Sequence, residues 1–341
     1  MKRWLRAFAP LAIGGLLLGL ASCEGDEGPA GPPGTSTCMN CHTDDFTMAN
    51  YLRPIQDQFA ISGHNLSDTY VRRGTDAGPE CSRCHTTEGF QHYVATGDEA
   101  PLEESSHISC FACHAPHSND NFSLRMTESV EMTIGDDYNK GLSNTCVVCH
   151  QARALTPALD SPSPITSSRW GPHYATQGNI LSGTGAHVFP GTTYETDAAH
   201  NIGITNGCVT CHMAPLPANV VAGGHSFAIN YEGSGGVVVN SKGCTCHGWT
   251  TDAVATTETN SYQAEFEESL DELGDMLVTR GWLAASREYA TNGATAPATA
   301  DSRGAVLNFL LLHHDKSLGV HNKKYAESVV AGTKAWMLAN P

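Results

Sequence analysis

The sequence predicts a mainly α-helical, loop-rich protein whose interior is filled in part by something other than its own side chains. Three observations predict this class. Cysteines recur in six close pairs, and a histidine follows the second cysteine of every pair. The chain between the pairs is rich in Gly, Pro, Ser and Thr, which favours loops. Aromatic residues make up only 7% of the 341 residues, so the chain offers few large side chains for a core.

The first 22 residues have the pattern of a bacterial lipoprotein signal peptide. Three basic residues precede an apolar stretch from Phe8 to Leu20, which runs into the sequence Leu-Ala-Ser-Cys ending at Cys23. We expect removal of residues 1–22 and lipidation of Cys23. A transmembrane anchor is the alternative, but the apolar stretch is shorter than the roughly 20 residues that a spanning helix needs.

Residues 23–37 predict a lipidated tether. The stretch "GDEGPAGPPGTS" contains four Gly-x-y triplets, which are too few for a stable collagen triple helix and favour an extended, polyproline-like linker. The net charge of −16 makes nucleic acid and anionic lipid surfaces poor partners. Cationic proteins, metal ions and mineral surfaces suit this charge better, although solubility alone is an equally simple explanation.

The six cysteine pairs form the motifs "CMNCH", "CSRCH", "CFACH", "CVVCH", "CVTCH" and "CTCH". Disulfides or zinc sites would explain paired cysteines in an exported protein, but neither requires a histidine after every pair. The cysteines of the six motifs are Cys38, Cys41, Cys81, Cys84, Cys110, Cys113, Cys146, Cys149, Cys208, Cys211, Cys244 and Cys246.

Covalent attachment of haem c explains that histidine. Residues i, i+3 and i+4 lie on one face of a helical turn, so two thiols can bond the porphyrin while the following imidazole reaches the iron. We therefore expect six haem c groups, five of them at regular motifs. Each motif histidine is a predicted iron ligand: His42, His85, His114, His150, His212 and His247.

The stretch "GCTCHG" is irregular, because only Thr245 separates Cys244 from Cys246. Cys246 and His247 keep the adjacency that iron ligation and one thioether need. Cys244 lies one position too close and needs a distorted turn, which Gly243 would help to permit. We expect a sixth haem attached through Cys246, with or without Cys244; a surface thiol pair or a strained disulfide is the alternative.

The histidines outside the motifs lie in stretches that resemble a known family. "ISGHN", "SSHISCFACHAPH", "RWGPHY", "AAHNIGITNGCVTCHM", "GGHSF" and "SLGVHN" resemble multihaem c-type cytochromes of the cytochrome c554, pentahaem nitrite reductase and hydroxylamine oxidoreductase superfamily. The chain looks closest to the lipoprotein cytochromes of metal-reducing bacteria. The resemblance runs from about Cys38 to Tyr325.

This resemblance implies that a histidine ahead of a motif, or in a downstream loop, is the distal ligand of a different haem. His117 is an alternative distal ligand, whereas His92, His187, His313 and His314 are expected to serve packing or hydrogen bonding. The distal ligands implied by the resemblance are His64, His107, His173, His200, His225 and His321.

The region after residue 255 predicts a different structure. Apolar residues recur there at helical spacing from Tyr262 to Leu277, and "RGAVLNFLLLHH" and "KYAESVVAGTKAWML" predict two further helices. We therefore divide the mature chain into a haem-binding region, 38–255, with short motif helices around stacked haems, and a C-terminal helical bundle, 256–341. The motifs show no fixed spacing, so a regular repeat array is not expected.

Two axial imidazoles leave an iron without an open position, which suits electron transfer and prevents substrate binding. The predicted function is therefore the relay of electrons in the periplasm or outside the cell. The protein is expected to be anchored at the outer membrane, on its periplasmic side or at the cell surface. The alternative is a reductase of nitrite, hydroxylamine or a related small species at one five-coordinate haem; the Cys-x-x-Cys-Lys motif of the resembling nitrite reductases does not occur here. Expected partners are redox proteins or an extracellular electron acceptor, the membrane through the lipid anchor, and further copies in a homopolymer.

Overall fold

Short helices joined by long loops make up the part of the chain before residue 252, and three long helices dominate the part after it. The computed structural model describes residues 46–67, 79–99, 101–102, 104–115, 123–196, 198–215 and 222–341. The chain divides into two units, residues 1–48 and 49–341, and nearly all the described residues belong to the second. The predicted signal peptide, Cys23 and the tether lie outside the described residues.

The described α-helices vary from a single turn to the 28 residues of the longest helix. They are α1 (Phe46–Ala60), α2 (Gly63–Leu66), α3 (Pro79–His85), α4 (Thr87–Thr96), α5 (Cys110–Cys113), α6 (Asn144–Val147), α7 (Gln177–Ser182), α8 (Ala199–Gly203), α9 (Gly207–His212), α10 (Asp252–Thr279), α11 (Ala300–Asp315) and α12 (Lys323–Ala339). Single turns of 3₁₀-helix occur at Gly141–Ser143, Gly224–Ser226, Ser241–Gly243, Thr245–His247 and Gly293–Thr295.

Side-chain caps fix where the long helices begin. The Thr251 hydroxyl accepts a hydrogen bond from the Val254 amide at the start of α10 (3.3 Å). Thr299 and Ser302 form a reciprocal capping box at the start of α11. Each cap satisfies a backbone amide that the first turn of a helix leaves without a partner, and is generally worth about 1 kcal/mol.

The three long helices enclose the larger hydrophobic core. Leu273 and Leu277 of α10, Leu310 of α11 and Val329 of α12 are all completely buried and belong to one cluster. Burial of each such side chain contributes roughly 1.5–3 kcal/mol relative to exposure. The helical periodicity predicted for this region therefore corresponds to helices that pack on one another. Helix α10 begins at Asp252, four residues before the predicted boundary at 256.

Buried Arg303 ties this core to a long loop. Its side chain is 2% exposed, and its guanidinium donates to the carbonyl oxygens of Pro297, Ser161 and Ser163, at 3.2, 2.7 and 2.6 Å. A planar guanidinium can serve several acceptors at once, which one ammonium group does less well. The loop is therefore held by a side chain of α11 rather than by its own secondary structure.

A second, smaller core surrounds the cysteine motifs. Phe90, Tyr138 and Val147 are buried there, and the partly buried Cys113, Cys149 and Cys208 pack against this cluster. The only sheet of the described residues is the hairpin of β1 (Asn230–Gly233) and β2 (Gly236–Val239), paired antiparallel. Of the described helices, none is long and apolar enough to cross a membrane.

Candidate haem-binding sites

Each described motif histidine faces one of the predicted distal histidines. In every case the two imidazole ring centroids lie about 6 Å apart, and the two residues come from distant parts of the chain. The pairs are His150 with His64 (6.1 Å), His85 with His173 (6.3 Å), His114 with His225 (6.2 Å), His247 with His200 (5.7 Å) and His212 with His321 (6.1 Å).

This spacing fits one metal ion between the two rings of a pair. Imidazoles bound on opposite sides of an ion, each at about 2.0–2.1 Å, have ring centroids roughly 6 Å apart. Stacked rings in contact would lie closer, whereas edge-to-face rings lie about 4.5–7 Å apart, so the assignment rests on the cysteine motif beside every pair as well as on the spacing. The observed spacing, together with the cysteine motif beside each pair, therefore fits the thioether-bound haem that the sequence predicts.

The Nδ1 atoms of several of these rings are held by other groups, which leaves the opposite nitrogen for a ligand. His212 Nδ1 donates to the Phe227 carbonyl at 2.9 Å, and His200 Nδ1 donates to the Val320 carbonyl at 2.8 Å. His321 Nδ1 lies 2.6 Å from the buried carboxylate of Asp315. Such bonds fix the tautomer and orientation of metal-ligating histidines.

The electrostatics of the sites keep several of these imidazoles neutral, which is the ligating form. Burial, and then the nearby His150, lowers the pKa of His64 to about 4. Burial also lowers the pKa of His212, and burial followed by His114 lowers the pKa of His225. His321 is the exception, because Asp315 outweighs burial and raises its pKa.

Four motifs of regular spacing lie on or beside one-to-two-turn helices, α3, α5, α6 and α9, as predicted for a face that presents residues i, i+3 and i+4. The irregular motif takes a different form. Thr245–His247 is a 3₁₀ turn, and the His247 amide donates to the Cys244 carbonyl at 3.0 Å. Because residues i and i+3 eclipse in a 3₁₀-helix, the turn aligns Cys244 with His247 despite the missing residue.

Gly243 also has a packing role that the sequence did not predict. We predicted that it would permit a distorted turn, yet its φ angle is not in the left-handed region. A Cβ at this position would lie 3.1 Å from both the Cα and the carbonyl oxygen of Cys211. Glycine therefore lets the irregular motif lie directly against the preceding one, where Cys211 Sγ is 3.5 Å from the Gly243 carbonyl.

Neighbouring motifs also meet through their cysteines. Cys149 Sγ lies 3.6 Å from the carbonyl of Arg83, which belongs to the motif of His85. Cys146 and Cys208 lie close enough that each shifts the pKa of the other thiol. With the contact between Cys211 and Gly243, these contacts join four motifs in one series. Its order is the motif of His85, then those of His150, His212 and His247.

Phe227 links three of the histidine pairs, and sequence reasoning did not identify it. Its ring lies 4.9 Å from that of His64 and 5.8 Å from that of His225, while its carbonyl accepts from His212. Its φ of 56° is left-handed, which is unusual for a bulky residue and costs of order 1–2 kcal/mol. Its position two residues after His225 was the only sequence signal that could have pointed to it.

The remaining predicted residues either lie outside the described part of the chain or are not members of the five histidine pairs. Cys38, Cys41, His42 and His117 lie outside the described residues. His107 lies in the loop before α5, where its carbonyl accepts a hydrogen bond from Thr87 Oγ1 at 2.6 Å. Of the histidines assigned to packing or hydrogen bonding, His187 contacts Asp301 at 2.8 Å, and His313 and His314 both lie near Glu288.

The architecture and its likeness to a solved structure define the fold: it is a helix- and loop-rich fold compatible with that of a multihaem cytochrome, which confirms the predicted fold class. The chain is similar to the crystal structure of outer cell wall cytochrome OcwA, with a TM-score of 0.53 and 17% sequence identity. The match covers 83% of this chain and 50% of OcwA, so the chain spans half the length of that protein. No family model and no curated protein matches the chain.

Proposed function

We propose that this protein binds haem c at its cysteine motifs and transfers electrons between redox partners. The observation that carries the proposal is the placement of a second imidazole opposite each described motif histidine, at the same spacing in five separate places. Haem iron supplies reversible one-electron oxidation and reduction when bound. The residues named above would hold and orient it.

The histidine pairs favour electron transfer over catalysis. A site with an imidazole on each side has no position left for a substrate. Among the described motifs, every histidine has such a counterpart, so a reductase of nitrite or hydroxylamine finds no open site there. We therefore propose a role as an electron carrier, with all six motifs, including "CTCH", attached to haem.

The contacts between motifs support a path through the protein. The series from the His85 motif to the His247 motif has three links: the contact of Cys149 with the Arg83 carbonyl, the proximity of Cys146 to Cys208, and the contact of Cys211 with the Gly243 carbonyl. One end of the series is accessible, because His247 and Cys246 are both exposed. We propose that electrons enter or leave at this end.

We also propose a location and a class of partner for the protein. OcwA is an outer cell wall cytochrome. With the predicted lipidation of Cys23, this supports a place at the outer membrane or cell surface. The net charge of −16 favours a cationic redox partner protein or a metal-containing extracellular acceptor. Self-association into a homopolymer is a further possibility that the resemblance implies.

The test is a count of haems and of their spin states. The mature protein would be produced in a host able to mature c-type cytochromes, and intact-mass spectrometry and electron paramagnetic resonance would be recorded on it. We expect six covalent haems, with low-spin iron at the five described pairs. A protein without covalent haem, or with high-spin iron at several sites, would contradict the proposal.

Two histidine variants test one of the ligand assignments directly. His225→Ala should convert one iron to a high-spin form, because His114 loses its counterpart. His187→Ala is the matched control: this histidine is also partly buried, but it pairs with Asp301 rather than with a motif histidine. The control should leave all spin states unchanged. Equal spectra for the two variants would show that His225 is not a ligand.

A further inference from the structure

Three side chains that the haem sites do not use converge at the C-terminal end of α11. Glu288 lies in the loop after α10, and His313 and His314 are neighbours in the last turn of α11. One ligand atom from each lies within 4.8 Å of the other two. The cluster combines two imidazoles with one carboxylate, which is a donor set for a divalent transition metal ion.

The Glu288 carboxylate lies against both rings. Its Oε1 is 3.2 Å from His313 Nε2, and its Oε2 is 3.6 Å from His314 Nε2. Two ligands that each lie about 2.0–2.1 Å from a tetrahedral ion are separated by about 3.3 Å. The two carboxylate–imidazole separations lie on either side of that value, so each imidazole and the carboxylate are already close to the spacing of ligands on one ion.

His314 provides an independent observation. Its side chain is only 3% exposed, and its Nε2 is buried with no hydrogen-bond partner among the described residues. Its Nδ1 lies 2.8 Å from the His173 carbonyl, which can only accept, so Nδ1 carries the proton. Nε2 then has a lone pair directed towards a carboxylate that also only accepts. A buried acceptor facing another acceptor is unfavourable unless a cation or a proton lies between them.

The surroundings restrict what can fill that position. Lys316 Nζ lies 3.5 Å from His313 Nε2, so its ammonium is one possible cation. That ammonium forms no hydrogen bond with the His314 Nε2, which is left without a donor among the described residues. The rings of Phe309 and Tyr174 pack on His313 and His314, at 5.4 and 4.5 Å, and hold both imidazoles in place.

We propose that Glu288, His313 and His314 form a binding site for one divalent transition metal ion of the zinc type, separate from the haem sites. The two Nε2 atoms and the carboxylate are the protein ligands. Glu288 and His313 are partly exposed, with side-chain exposures of 36% and 26%, so solvent can reach the fourth position. The inference does not depend on the proposed electron transfer.

The test is a zinc titration of the haem-loaded protein after treatment with a chelator, which leaves thioether-bound haem in place. Isothermal titration calorimetry with ZnCl₂ should show one specific site per chain. Zinc-edge X-ray absorption should show two imidazoles bound to the ion. Zinc should also raise the melting temperature, because an ion that binds only the folded state stabilises it.

Two carboxylate-to-amide variants provide the comparison. Glu288→Gln should weaken zinc binding by at least the roughly 10–100-fold that loss of an outer-shell partner costs. Asp301→Asn removes a carboxylate that lies 2.8 Å from His187 Nε2, where the described residues provide no third ligand. This variant should bind zinc like the unaltered protein. Lys316→Gln should bind zinc more tightly, because it removes a nearby positive charge.

The possible outcomes are distinct. A single zinc site that is weakened by Glu288→Gln and kept in Asp301→Asn supports the proposal. No specific zinc binding in either the unaltered protein or Lys316→Gln would overturn it, and would identify the cluster as an ordinary hydrogen-bonded group. Equal zinc binding by all variants would also overturn it, because the ion would then lie elsewhere on the acidic surface.

Discussion

At the scale of single residues, the groups behind the paired histidines set the character of each site. His321 differs from the others because its Nδ1 contacts a carboxylate, whereas His200 and His212 contact backbone carbonyls. Asp315 is 1% exposed at its side chain, and Ser317 Oγ donates to its other oxygen. A buried carboxylate at this position makes the imidazole a stronger electron donor to a bound metal.

Replacement of this carboxylate has a predictable effect on the redox chemistry. In Asp315→Asn, the His321 imidazole loses its anionic partner and donates less to the iron, so the reduced state becomes relatively more favourable. We expect the potential of the His212 site to rise while the haem count stays the same. Potentiometric titration followed by visible absorption would measure the shift.

Asp301→Asn is the control, since Asp301 contacts His187 and no paired histidine. Its potentials should match those of the unaltered protein. A lowered potential in Asp315→Asn, or equal shifts in both variants, would contradict the assignment of His321 as an iron ligand tuned by Asp315.

The sequence could identify the histidines of these sites but not the groups that orient them. A motif histidine is visible because its chemistry requires a fixed spacing from two cysteines. Phe227 acts through a backbone carbonyl and a ring contact, and neither depends on a recognisable pattern. Gln177, whose amide oxygen lies 3.2 Å from His150 Nδ1, carries no signal either. Such partners come close to the histidines only in the folded chain, and no local sequence pattern indicates them.

At the scale of secondary-structure elements, the 3₁₀ turn at Thr245–His247 explains how the shortened motif can place Cys244 and His247 on the same face. In a regular motif, the first cysteine and the histidine are four residues apart and share a face of an α-helix. In "CTCH" they are three residues apart and share a face of a 3₁₀-helix. The turn type therefore compensates for the spacing.

This alignment predicts that both thiols of the irregular motif are used. We expect the peptide that contains Cys244 and Cys246 to carry one haem and to take up no iodoacetamide after denaturation. Mass spectrometry of the digested protein would show this directly. One alkylated thiol would indicate a single thioether at Cys246, and an alkylated peptide without haem would exclude the sixth site.

The helices themselves were predictable to different degrees. The three C-terminal helices have apolar residues at helical spacing, and α10, α11 and α12 lie where that periodicity indicated. Helices α1 and α4 were not predicted. Helix α1 contains Pro54, a residue that disfavours the interior of a helix. Helix α4 begins at a cap, in which the Thr86 hydroxyl accepts a hydrogen bond from the Gly89 amide. Tertiary packing around the motifs, rather than a repeating pattern, stabilises such helices.

Arg303 gives a test of how the C-terminal helices hold the long loops. We expect Arg303→Lys to lower the free energy of unfolding by about 2–4 kcal/mol, because several buried carbonyls lose their donor. Urea unfolding followed by circular dichroism would measure the loss. Arg53→Lys is the control: the Arg53 side chain is 73% exposed, and its replacement should change the value by less than about 0.5 kcal/mol.

A loss of less than about 1 kcal/mol in Arg303→Lys would contradict the role given to the guanidinium. It would mean that the lysine ammonium, or water, satisfies the carbonyls of residues 158–163 equally well. The loop would then be held mainly by its apolar contacts with the helices, among them those of buried Ile165.

At the scale of the whole molecule, the contacts between motifs form a pattern that the sequence could not provide. The order of the motifs along the chain does not indicate how far apart they lie in space, because the distal histidines come from remote segments. In space, the motif of His150 contacts that of His85, because Cys149 Sγ lies 3.6 Å from the Arg83 carbonyl. It also lies near the motif of His212, because Cys146 and Cys208 shift each other's pKa. Its counterpart His64 also contacts Phe227, whose neighbour His225 pairs with His114. The His150 site is therefore central among the described sites.

A central site makes a specific prediction about the whole protein. In His64→Ala, the His150 ring has no counterpart, so we expect one iron to become high-spin and to bind cyanide. Added imidazole should restore the low-spin form, because it can occupy the side that His64 leaves open. Electron transfer between sites on either side should slow, and stopped-flow reduction should change from one main phase to two.

His92→Ala is the matched control, because His92 lies in α4 and was assigned no ligand role. It should keep one main phase and should not bind cyanide. If His64→Ala also kept a single phase despite its high-spin iron, electrons would be passing around the His150 site, and the series of contacts would not be the conducting path. Because the spin state and the kinetics are measured separately, the test distinguishes the ligand assignment from the proposed route.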